Sequence, residues 1–125
     1  MTHTTNYTST LVTIAPDSAA TGGTPPKPEG VAGRQYALLV AAPYTMTSDD
    51  LLFTVHADKN GLADTDAARA VFFAKPQACL RASPLPKQYG WGIHHDAASR
   101  IALHAVGSTE YARLLNDAAV KKVAA

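Results

Sequence analysis

Apolar positions change period several times along the chain, and each change predicts an element. Thr8 to Ala15, TSTLVTIA, is rich in β-branched residues around Leu11 and predicts a strand that Pro16 ends. The following PDSAATGGTPPKPEG, residues 16–30, holds four prolines and three glycines in 15 residues and predicts a long exposed loop. From Val31 to Ala42, Tyr36, Leu39 and Val40 recur at helical spacing, and Pro43 bounds the resulting helix. Thr47-Ser48-Asp49-Asp50 then reads as an N-terminal cap with acids in the first turn, followed by a buried stripe of Leu51, Leu52 and Val55. The composition of LLFTVHA would also suit a strand, but the cap favours a helix.

Asp64 to Phe73 predicts a further short helix with Asp64 or Asp66 as its cap. After Pro76 the period becomes two. Gln77 to Ser83, Tyr89 to His95 and Arg100 to Val106 all alternate, with Pro84, Pro86 and the Asp96-Ala97-Ala98-Ser99 segment as turns, which predicts three strands. Ser108 caps a last helix whose face is Tyr111, Leu114, Leu115 and Ala118, running on into Lys121-Lys122. The order predicts an α+β fold, a mostly antiparallel sheet of about four strands with helices packed on one face. At 125 residues and 46% hydrophobic content the chain suits a single domain, 1–125.

Charge narrows the function classes. The formal net charge is +1, so no global field collects nucleic acid or an anionic membrane, and neither is expected as a partner. The start, MTHTTNYTST, lacks the order of a secretory signal, and no run is long enough for a membrane span, so the expected location is cytoplasmic. One cysteine forms no internal disulfide, which suits a reducing compartment. The balance is locally broken: Asp49 to Asp66 carries five aspartates against Lys59, whereas Ala67 to His95 carries Arg69, Lys75, Arg81 and Lys87 and no acid. The bland reading is two solvated faces of opposite sign; the functional one is a local anion-attracting surface.

The acid-free block contains CLRASPLPKQYGWGIHH, with the only cysteine, the only tryptophan and two of five histidines. Alternation puts Tyr89, Trp91, Ile93 and His95 on one face of a strand, with Gly90, Gly92 and His94 on the other. If Trp91 and Ile93 share the core with Ile101 and Leu103, Ile93 pairs with Leu103. His94 then lies opposite Ala102 and Gly92 opposite His104, which makes the two histidines diagonal neighbours, roughly 7 to 8 Å apart. Gly90 and Gly92 leave a floor where a ligand, a helix or another backbone can approach, or else mark a bulge.

Were Gln77 to Ser83 a strand beside this hairpin, Cys79, Arg81 and Ser83 would share the histidine face, with Leu80 in the core. Arg81 would hold a carboxylate or phosphate, and a thiol near imidazole makes a nucleophile or an acid/base pair. The candidate catalytic residues are therefore His94, His104 and Cys79, and the candidate ligand-binding residues Arg81, Ser83, Lys87, Tyr89 and Gly92. Each has a plainer role: Cys79 as a small buried hydrophobe, Arg81 bonded to Asp49 or Asp50, the histidines as satisfied polar groups, Trp91 as core. Cys79, His56, His94, His95 and His104 are suitable metal-ligand types, but no zinc spacing is present, and no metal or cofactor is expected. Phosphate-binding loops, dinucleotide fingerprints and nucleophile elbows are also lacking.

The segments THTTNYTSTLVTIAPD and PYTMTSDDLLF, and above all CLRASPLPKQYGWGIH followed by RIALHAV, resemble a bacterial family of short single-domain proteins, the domain of unknown function numbered six thousand one hundred and fifty-seven. The resemblance spans Thr4 to about Val123. It implies one intact domain in a bacterial cytoplasm and carries no functional residues over. Two expectations follow from the residues: a site that binds a small anionic metabolite, with turnover there left open, or a non-enzymatic interaction module, such as a homodimer, using the oppositely charged blocks.

Overall fold

A computed structural model describes residues 3–125. In chain order the elements are β1 (Thr10–Thr13), α1 (Val31–Ala41), α2 (Ser48–Asn60), α3 (Asp66–Phe73), a 3-10 turn (Leu80–Ala82), α4 (Pro84–Lys87), β2 (Trp91–His95), β3 (Ile101–Ala105), α5 (Thr109–Leu115) and β4 (Lys121–Ala124). The strands form one sheet in the order β3-β2-β1-β4, with antiparallel pairs except for the parallel β1 and β4. The α+β class is borne out, with a mixed sheet. No helix among the described residues is long and apolar enough to cross a membrane.

Capping explains where the longest helix begins. Thr47 accepts from the Asp50 amide at 3.1 Å while the Asp50 carboxylate accepts from the Thr47 amide at 3.1 Å, a reciprocal capping box contributing roughly 1 kcal/mol. That settles α2 as a helix where composition alone allowed a strand, and Gly61, left-handed at φ 65°, ends it. In α3 the cap is Thr65, whose hydroxyl accepts from the Ala68 amide, in place of the aspartates expected there. Asp64 instead takes both Nε and Nη2 of Arg69, whose Nη1 reaches Asp50 at 2.7 Å.

The sheet is covered on both faces. Val12, Ile93 and Ile101 pack against Leu39 of α1, Leu51 and Val55 of α2, and Leu80. Each such fully buried aliphatic side chain contributes about 1.5–3 kcal/mol by leaving water. Leu11, one residue from Val12 and so on the opposite face, packs with Tyr111 and Leu114 of α5 and with Val120. Helices on one face only were expected; α5 takes the other because Gly92 lacks a side chain there, and a Cβ at Gly92 would come 2.5 Å from the Tyr111 ring.

Two segments depart from their sequence pattern. Gln77 to Ser83, expected as a strand, is a turn running into α4, because Pro84 and Pro86 cannot donate to a ladder while proline suits a helix start. Ser83 caps that start by accepting from the Leu85 amide. The last helix does not continue into the lysines: Asn116 ends it, and Lys121–Ala124 pairs in register with β1, Thr10 to Lys121 and Val12 to Val123. The Pro/Gly-rich 16–30 segment has no helix or strand, yet it packs. Trp91 donates its indole N–H to the Thr24 carbonyl at 2.9 Å, the Thr24 amide bonds Tyr89, and Pro26 is buried. Trp91 is thus half-buried under this loop and Tyr36, not a central core residue.

Candidate functional site

The hairpin of β2 and β3 has the expected register: Ile93 faces Leu103, Gly92 faces His104, and His94 faces Ala102. His94 and His104 consequently share the face opposite Ile93, with ring centroids 6.3 Å apart. Both are half-buried. The residue that joins them is Tyr44, which sequence reasoning did not select. Its hydroxyl lies 2.8 Å from His94 Nδ1 and 2.8 Å from His104 Nε2, so one phenol is bonded to two imidazoles.

Tyr44 reaches this position because the segment after α1 runs along the outer edge of β3. Its amide donates to the Ile101 carbonyl and the Ile101 amide donates to the Met46 carbonyl, with a further bridge between Thr47 and Arg100. Tyr44 itself is left-handed at φ 58°, a conformation that costs a non-glycine residue on the order of 1 kcal/mol. Backbone pairing on one side and the two ring nitrogens on the other hold it there. The sequence signal was thin: a tyrosine after proline, 50 and 60 residues from its partners.

Burial sets the protonation states. Desolvation, helped by His104, pushes the His94 pKa below the usual imidazole value, and desolvation alone does most of the same for His104. Desolvation raises Tyr44, with Asp96 and Glu110 adding to the shift, so phenol and imidazoles are all neutral at pH 7. A phenol between two neutral imidazoles donates to one nitrogen and accepts N–H from the other. The rim is supplied by α5, where Glu110 and Arg113 pair at 2.6 Å in solvent.

The remaining candidates lie elsewhere. Cys79 is half-buried, its Sγ 3.7 Å from the Tyr7 hydroxyl, and Tyr7 packs edge-to-face on His95 at 5.2 Å. His95 belongs to the Ile93 face, so the thiol is on the far side of the sheet from His94 and His104; a shared face was expected, and the turn at Leu80–Ala82 is the reason it fails. Arg81 donates from Nε to the Ala124 carbonyl at 2.8 Å, not to Asp49 or Asp50. Ser83 is buried and donates to Gln35 Oε1. Lys87 lines a cleft with Cys79 and Arg81, Tyr89 lines another with Pro26 and Lys27, and Gly92 is the floor under Tyr111. Among the described residues no group of three or more His, Cys, Asp and Glu side chains is arranged to hold a metal ion.

Fold and site together define a small α+β protein with a half-buried imidazole–phenol–imidazole chain on one face of a four-stranded sheet. A family model described as "Family of unknown function (DUF6157)" matches residues 2–125, and the chain belongs to that family. Neither a curated protein nor a solved structure matches it.

Proposed function

We propose that the protein binds a small molecule at the His94–Tyr44–His104 chain and isomerises it by proton transfer. The observation that carries this reading is the single phenol 2.8 Å from ring nitrogens of two histidines on adjacent strands. In one arrangement Tyr44 donates to His94 Nδ1 and accepts from His104 Nε2, which leaves His94 Nε2 protonated and His104 Nδ1 a free base. When His104 Nδ1 takes a proton from a substrate carbon, Nε2–H passes to the tyrosyl oxygen, the tyrosyl proton passes to His94 Nδ1, and His94 Nε2 releases its proton to another atom of the substrate. Atoms and charge balance without a co-reactant, and the chain ends in its mirror arrangement, ready for the reverse direction. Neutral imidazoles suit this because each is base and acid within one turnover.

The test is solvent exchange. A panel of 2-keto acids, pyruvate and phenylpyruvate among them, is incubated with the protein in D₂O and loss of the C3 proton is followed by NMR. Exchange above the buffer rate, reduced at least about tenfold in Tyr44→Phe, supports the reading. Because the histidine pKa values are depressed, the rate is flat above pH 6.5 and falls only at more acid pH. Exchange equal in the wild type and Tyr44→Phe, or none with any member of the panel, overturns it.

A second reading, association of two copies, has the outer edge of β4 in its favour, open except at the Ala124 carbonyl that Arg81 takes. Lys121 and Lys122 on that short strand oppose pairing with itself. A sizing run at low and high salt decides this: a dimer that persists or strengthens in high salt, where the lysine repulsion is screened, favours the second reading, and a monomer in both removes it.

A further inference from the structure

A separate feature lies on the opposite side of the sheet from Tyr44. Two open clefts, about 240 Å³ and about 290 Å³, adjoin at Ala78, Cys79 and Ala82, which line both. The first is walled by Val31, Leu52 and Leu80 and is mainly apolar. The second carries Arg81 and Lys87. Neither cation pairs with a carboxylate among the described residues, whereas Arg34, Arg69 and Arg113 all do. Arg81 is also steadied, since its Nε–H is committed to the Ala124 carbonyl and its guanidinium lies beside the Tyr7 hydroxyl, while no carboxylate among the described residues takes its terminal nitrogens. An anchored guanidinium with no acidic partner is a fork for a planar anion.

We propose that the paired clefts form a binding site for a small carboxylate with an apolar tail. The carboxylate sits across the Arg81 fork with Lys87 as a second point charge, and the tail lies past Cys79 and Ala82 against Val31, Leu52 and Leu80. An apolar chain removes water from these walls, where the charge alone, at an exposed site, would be screened. Each volume lies at or just below the lower end of small-molecule sites, roughly 300–1,000 Å³, so a medium-length acid spanning both fits better than a bulky cofactor. The proposal is independent of the proton chain and stands or falls without it.

The only cysteine is in the shared wall and reports occupancy directly. The rate of Cys79 alkylation by iodoacetamide is measured with millimolar octanoate, octanol, acetate and inorganic phosphate in turn. Octanoate slows alkylation, and the other three do not; Arg81→Gln raises the octanoate needed for half-protection about tenfold, and Arg113→Gln, on α5 across the sheet from the clefts, leaves it unchanged. Equal protection by octanol shows a greasy groove without anion recognition, and protection by phosphate alone shows a simple anion patch; either overturns the proposal. Methyl shifts of Val31, Leu52 and Leu80 in carbon-detected NMR are the second readout: no movement with octanoate overturns it even if the thiol proves unreactive.

Discussion

His94 and His95 are consecutive residues of β2, yet they occupy opposite chemical settings. His94 faces α5 and Tyr44, half-buried, with its Nδ1 held at 2.8 Å. His95 faces the main core, is 0% exposed, and neither ring nitrogen has a hydrogen-bond partner among the described residues. Burial pushes its pKa down to about 4, with the His94 charge adding to the shift. One peptide unit of a pleated strand therefore separates a partnered imidazole suited to moving protons from a neutral one kept as apolar filling under Tyr7. Burial alone does not make a site; a partner at the right atom does.

The comparison breaks most visibly under acid. His95 binds its proton near pH 4 in the folded protein and near 6.5 when unfolded, so between those values the unfolded state binds more protons and stability falls as pH falls. The full loss, complete below about pH 4, is somewhat over ~3 kcal/mol on the linkage of 1.36 kcal/mol per pKa unit. Urea melts at pH 7 and pH 4 measure it. His95→Leu flattens that dependence and is neutral or stabilising at pH 7, because it replaces an unpartnered polar ring by an apolar group. A steep dependence retained in His95→Leu would assign the acid sensitivity to other groups.

Next in size is the other face. Gly92→Ala puts a methyl group 2.5 Å from the buried Tyr111 ring and is expected to cost about 1–3 kcal/mol, with α5 displaced. Unchanged thermal stability would mean that α5 yields freely and does not clamp the histidine face. Tyr44→Phe removes only the hydroxyl shared by the two histidines, for about 1 kcal/mol, and changes the ¹⁵N tautomer signals of His94 and His104 but not of His95. The smallest change is expected from Glu110→Gln, whose pair with Arg113 is solvent-exposed: no measurable shift in Tm at physiological salt.

Much of the fold was legible in short-range pattern. The Thr47 cap of α2, the Ser108 cap of α5, the strand around Leu11 and the register of the β2–β3 hairpin all follow from neighbours within a few residues or from keeping Ile93 and Ile101 in the core. The errors have a common form. Gln77–Ser83 and Lys121–Ala124 are short and weakly apolar, and alternation or helical spacing over so few residues is satisfied by either structure. Proline chemistry decided the first, and the open edge of β1 decided the second. Of the candidate site, His94 and His104 were found as a pair, whereas Arg81 and Lys87 share a cleft with Cys79 on the far side.

By itself the sequence determined that His94 and His104 stand on one face of a hairpin, since a slip of one residue would turn Ile93 and Ile101 out to water. Only the tertiary structure decided that Tyr44 closes the pair into a chain, that α5 covers the glycine floor, and that the thiol lies behind the sheet. Register is a property of adjacent strands and leaves its mark in alternation. Which distant segment crosses an edge or a face depends on the packing of the whole molecule, and the backbone bonds of Tyr44 to Ile101 leave no mark in the residues near either one.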